Sequence, residues 1–121
     1  MANKERGEVE LKAGDDTFTL RLSINALAEI ENLLDIGVND IIAMMMKPQN
    51  FRLNTWRAVL WGALRENHKG SLEEAGEIML RAGVQPTVEV LSEALRLAFP
   101  EFTGGGAGNP PKASRGAGKR S

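Results

Sequence analysis

The chain has no cysteine and no tyrosine, one histidine, two tryptophans and four phenylalanines in 121 residues. Without cysteine there is no disulfide framework and no thiolate nucleophile or ligand. A lone His68 supplies neither a metal ligand set nor a Ser-His-Asp arrangement. Placed near a helix end, ahead of Lys69 and Gly70, it reads as a structural or solvent-facing residue. No run approaches the roughly 18 apolar residues of a membrane span, and the start, MANKERGE, lacks the apolar stretch of a signal peptide. The expectation is a soluble, cytoplasmic protein with no membrane partner. Large aliphatic residues are also missing from one place. From Gly104 to Ser121 the sequence GGGAGNPPKASRGAGKRS holds none larger than alanine, so it cannot bury enough apolar surface to offset the entropy of ordering. The expected organisation is one domain over residues 1–103, large enough for a modest core, and a disordered, Gly-rich basic tail over 104–121.

The formal net charge is −1, but it is unevenly spread. Lys112, Arg115, Lys119 and Arg120 give the tail +4 with no acid after Glu101, which leaves −5 on residues 1–101. An acidic body argues against a nucleic-acid groove on the domain.

Hydrophobic period then places the elements. EVELK and TFTLRL alternate apolar and polar residues around Gly14-Asp15, a two-residue hairpin loop with glycine first. That loop sets Leu11 opposite Phe18 and Val9 opposite Leu20 on one face. On the other face Glu8 meets Arg21 as a charge pair. A lone hairpin is marginal in water, so its apolar face must rest on helices. Ser23 is the expected N-cap of a helix with Ile24, Leu27, Ile30 and Leu34 at helical spacing, ended by Gly37. Asn39 is expected to cap a short helix holding IIAMMM, stopped by Pro48. Asn54 is expected to cap a third helix, running to His68 and closed by Gly70, with the stripe Trp56, Val59, Leu60, Ala63 and Leu64. Ser71 and Glu74 match a capping box for a fourth helix, with Leu72, Ala75, Met79 and Ala82 inward and Gly83 at its end. Pro86 suits the first turn of a last helix, with Val88, Leu91, Leu95 and Ala98 along one face. The predicted fold is α+β, mainly α: an N-terminal β-hairpin packed on about five short helices.

Catalytic, cofactor and metal residues are not assigned. Glu73, Glu74 and Glu77 cluster as acid–base carboxylates do, but a helix start favours carboxylates in any case. The glycines of GGGAGN follow no strand and open no helix, so they make no phosphate loop. The two helices joined at ENHKGS resemble a helix-turn-helix in outline, yet phosphates would repel the acids of its second helix. IIAMMM offers more. Ile41, Met44 and Met45 share one helical face, while Ile42 and Met46 share another. The first face reads as core; the second is apolar and made partly of methionine, which adapts to irregular apolar partners. Trp61 lies off its own helix stripe by about 140°, at 100° per residue from Trp56. Ile42, Met45, Met46, Phe51 and Trp61 are the candidate partner-binding residues.

The runs RGEVEL, LRLSINALAEIENLLDIG, GALRENHKG and VLSEALRLAFPE, in that order, resemble the small tail proteins of gene transfer agents and related tailed phages. That family is sometimes labelled a tail tube protein and is grouped with phage tail assembly chaperones. The similarity spans residues 6–102. What it implies is a non-enzymatic protein of the bacterial host cytoplasm. It would hold the tape-measure protein, and tube subunits too, until the tail polymerises. A structural tube subunit is the alternative, and a small nucleic-acid-binding accessory protein acting through the basic tail is a third reading. The implied partners are the tape-measure protein and the tail tube protein. Both edges of a two-stranded sheet are open to pairing, so a homo-oligomer also fits.

Overall fold

Residues 3–47 and 52–100 are described by the computed structural model. Strands β1 (Glu8–Ala13) and β2 (Asp16–Arg21) pair antiparallel, Val9 opposite Leu20 and Leu11 opposite Phe18, in the register expected from the loop length. Gly14 takes a φ of +64°, which the first position of such a loop requires. Helices α1 (Ile24–Leu34), α2 (Val38–Met46), α3 (Leu53–Leu64), α4 (Leu72–Ala82) and α5 (Val84–Ala98) follow. The fold is α+β and mainly α. Pro48, Phe51 and the segment 104–121 lie outside the described residues.

Helix α3 is the centre of the molecule because it is apolar on most sides. Trp56, Val59, Leu60, Ala63 and Leu64 are buried as the stripe dictates, and Thr55, Ala58 and Gly62 widen the buried face. It touches α1, α2, α4, α5 and β2, while α4 and α5 close over β1. Val9, Leu11 and Leu20 therefore go inward, and Phe18 packs edge-on to His68 with ring centroids 5.2 Å apart. Each fully buried Leu or Ile in this core contributes about 2 kcal/mol relative to exposure.

Several local expectations are corrected. Glu8 and Arg21 face each other in register but do not pair. Arg21 Nη1 instead donates to both carboxylate oxygens of Glu66, at 3.2 and 3.3 Å, while Glu8 accepts from the Asn3 backbone N–H at 3.0 Å and is buried. A short 3-10 turn, Lys4–Arg6, brings Asn3 to it. Ser23 does cap α1, its Oγ accepting from Ala26 N–H at 3.1 Å, but α1 ends at Asp35 in the left-handed region, not at Gly37. Gly37 is instead the N-cap of α2. Glu31 of α1 replaces the expected Asn39 cap, accepting from Val38 N–H at 2.6 Å. Asn54 falls inside α3, with Arg52 as N-cap, and accepts from Arg57 at 3.4 Å. Helix α3 stops at Leu64, where an Arg65-to-Gly62 bond of 3.3 Å tightens the last turn. The capping box of α4 is half formed: Ser71 Oγ accepts from Glu74 N–H at 3.0 Å, but the Glu74 carboxylate reaches His68 Nε2 at 2.8 Å.

Candidate functional site

The five candidate contact residues are not gathered into one patch. Met45 is 7% exposed and belongs to the core with Ile41, while Met46 is 48% exposed. Ile42 is buried on the floor of a hollow of about 180 Å³, whose rim is Ile24, Val38 and Phe99. Trp61 is half-buried against the core, and the Arg65 guanidinium lies 5.0 Å from its ring centroid. Phe51 lies outside the described residues. A short helix with apolar residues all round thus buries Ile41, Ile42 and Met45 and leaves Met46 to solvent.

Two apolar surfaces are built instead around residues that were not named as contacts. Ile24 is the first residue of α1, and the stripe count turns it toward the core. It is 75% exposed, because α1 packs through Ala26, Leu27 and Ile30. With Phe99 it rims the hollow over Ile42. The second surface is a groove of about 450 Å³ lined by Leu53, Arg57, Gly76, Met79, Leu80 and Val84. Leu80 is 79% exposed and Leu53 is 56% exposed. The signal for Leu80 was in the sequence: it sits beside Met79 but 100° round the helix from it, outside the α4 stripe. Gly76 lets Arg57 lie close against α4, since a Cβ there would come 3.3 Å from Arg57 Cδ.

Arg57 is the polar element of the groove. Its Nε is buried without a hydrogen-bond partner, and its Nη2 has the Asn54 contact. Apolar walls with one cationic group suit a segment presenting apolar side chains and a carboxylate. Elsewhere, no group of three or more His, Asp or Glu side chains among the described residues is placed to hold a metal ion. Glu73, Glu74 and Glu77 are exposed along α4, as a solvated helix start requires. No helix among the described residues is long and apolar enough to cross a membrane.

A family model described as phage tail tube protein, GTA-gp10, matches residues 6–100. No curated protein and no solved structure matches the chain. The family match covers the hairpin and all five helices described above, and it is a family of the tail tube, the alternative to the assembly chaperone. The chain belongs to the phage tail tube protein family, GTA-gp10, and its role lies in a phage or gene-transfer-agent tail.

Proposed function

We propose that this chain is a non-enzymatic structural subunit of the tail tube, made in the host cytoplasm and added to the tail through protein–protein contacts. The observation that carries the reading is the groove of Leu53, Met79, Leu80 and Val84, an apolar docking surface beside one cationic group. Buried against another protein, side chains as exposed as Leu80 and Leu53 would contribute about 1.5–3 kcal/mol each. Such surface is a cost to a free monomer and an advantage to an assembly subunit. The family description supports the tube in particular.

A second reading has an observation of its own. The described residues hold one sheet of two strands, little for a tube built by sheet pairing. A transient assembly chaperone for the tape-measure protein needs adaptable apolar surface and no extended sheet. Quantitative mass spectrometry of producing cells and of purified tailed particles separates the two. Many copies per particle are expected of a subunit. Abundance in cells with near absence from particles would overturn the subunit reading in favour of the chaperone.

A further inference from the structure

Arg57 is the only charged residue among those that line the groove, and the fold holds it in place. Its stem lies against Gly76, its Nε is closed off from solvent, and its Nη2 donates to Asn54 Oδ1 at 3.4 Å. Among the described residues its Nη1 makes no hydrogen bond, and none of their ion pairs includes Arg57. The other charges of α4 and α3 are turned elsewhere. Arg81 reaches Asp16 and the Ala13 carbonyl, Glu77 lines a separate hollow with His68, and Arg52 and Glu73 stand outside the lining. Helices α3 and α5 both begin at the groove, with Leu53 and Val84, and neither start has a side-chain cap or an acid in its first turn. Their positive dipole ends add to Arg57, so the groove favours a carboxylate.

The walls also decide the shape of what fits. All of them are helical, so no strand edge borders the groove, and an extended segment laid there would leave its backbone N–H and C=O groups unpaired against apolar side chains. A helix satisfies its own. Leu53 to Arg57 on one wall and Gly76 to Leu80 on the other each span about 6 Å of helix axis, which matches apolar side chains one turn apart. A second copy of this chain has no such helix to offer. None of the described helices exposes two large apolar side chains three or four residues apart: Ile24 and Leu33 on α1 are nine apart, and Val84 and Leu97 on α5 are thirteen apart.

We infer that the groove receives an amphipathic helix of a different protein, with two apolar side chains one turn apart between Leu53 and Leu80 and a carboxylate on the Arg57 guanidinium. This pairing rests on the reading of the groove as a docking surface and adds to it the class of partner, an acidic helix.

Fluorescence anisotropy of the full chain with labelled synthetic helical peptides of about 15 residues tests the pairing. One peptide carries leucines a turn apart flanked by glutamates, a second has lysine for each glutamate, and a third has alanine for each leucine. The leucine–glutamate peptide is expected to bind, and the other two at least about tenfold more weakly. The acidic body by itself favours the lysine peptide, so a preference for glutamate reports the local charge at Arg57. Leu80→Glu is expected to weaken binding at least about tenfold while circular dichroism stays native, as Leu80 is 79% exposed. Arg57→Glu is expected to reverse the preference to the lysine peptide, which a loss of packing does not do. Should that charge disturb the fold, Arg57→Gln is expected to lose the glutamate preference instead. No binding of the leucine–glutamate peptide at about 1 mM, equal binding of the glutamate and lysine peptides, or a glutamate preference that survives both Arg57 variants would each overturn the inference. Sedimentation velocity showing a native oligomer that Leu80→Glu dissolves would give the groove to a second copy and overturn it as well. Peptide binding by a chain absent from particles would sink the tube reading and leave the pairing standing; a chain abundant in particles that binds no peptide would do the reverse.

Discussion

Gly62 sits in the last turn of α3, packed against α1, and replacing it with alanine sets two known effects against each other. Alanine gains about 1 kcal/mol over glycine in a helix interior. Its Cβ, however, would stand 2.5 Å from Ile30 Cγ1, 2.6 Å from Ile30 Cδ1 and 3.2 Å from the Ala26 carbonyl oxygen. Ile30 is fully buried and β-branched, so it has little χ1 freedom with which to move aside. The carbonyl belongs to the backbone of α1 and yields only if the whole helix shifts. Adding a methyl to a closed core costs about 1–3 kcal/mol, and contacts this short from two sides place the cost at the upper end. Gly62→Ala is therefore expected to lower stability by about 2 kcal/mol, which for a domain of roughly 100 residues lowers Tm by about 10 °C. Urea denaturation followed by far-UV circular dichroism measures the difference. Ile30→Ala removes both clashing atoms. The double variant is then expected to lose at least about 1 kcal/mol less than the two single losses together. A Gly62→Ala protein as stable as the native chain, or strictly additive losses, would refute the close approach of α1 and α3.

Two further outcomes follow from burial and capping. Met45→Glu places a carboxylate at a 7% exposed core position and is expected to abolish cooperative folding, whereas Met46→Glu, at 48% exposure, is expected to change stability by less than about 0.5 kcal/mol; thermal melts of the two distinguish core from surface on α2. Ser71→Ala removes the acceptor for Glu74 N–H at the start of α4 and is expected to cost about 1 kcal/mol in urea midpoint analysis, because the His68 contact of Glu74 does not replace that bond.

Much of the fold was legible because short-range rules are strict. Strict alternation and a two-residue loop leave one hairpin register that keeps Val9, Leu11 and Leu20 on the same side. The α3 stripe and the Ser23 and Ser71 caps are equally local. Their reach ended where a residue had a choice of partners. Arg21 had Glu8 across the strand but took Glu66 after α3, and the α2 start took a carboxylate from the preceding helix in place of its own Asn39. How far each candidate contact residue is exposed was hidden for a similar reason. Counting 100° per residue separates Ile42 and Met46 from Ile41, but it does not tell how much of α2 the neighbouring helices cover.

By itself the sequence determined the period of each element, the hairpin register and the division of charge between an acidic body and a basic tail, since each depends on spacing or composition alone. Tertiary structure decided which apolar residues stayed outside. Ile24 read as core and is exposed, whereas Met45, on the face that read as core and also named as a candidate contact, went to the core, because burial is settled by which helices meet and at what separation. The groove under Leu80 and the hollow over Ile42 exist only where α3, α4 and α5, or α1, α2 and Phe99, come together, and no single segment encodes either.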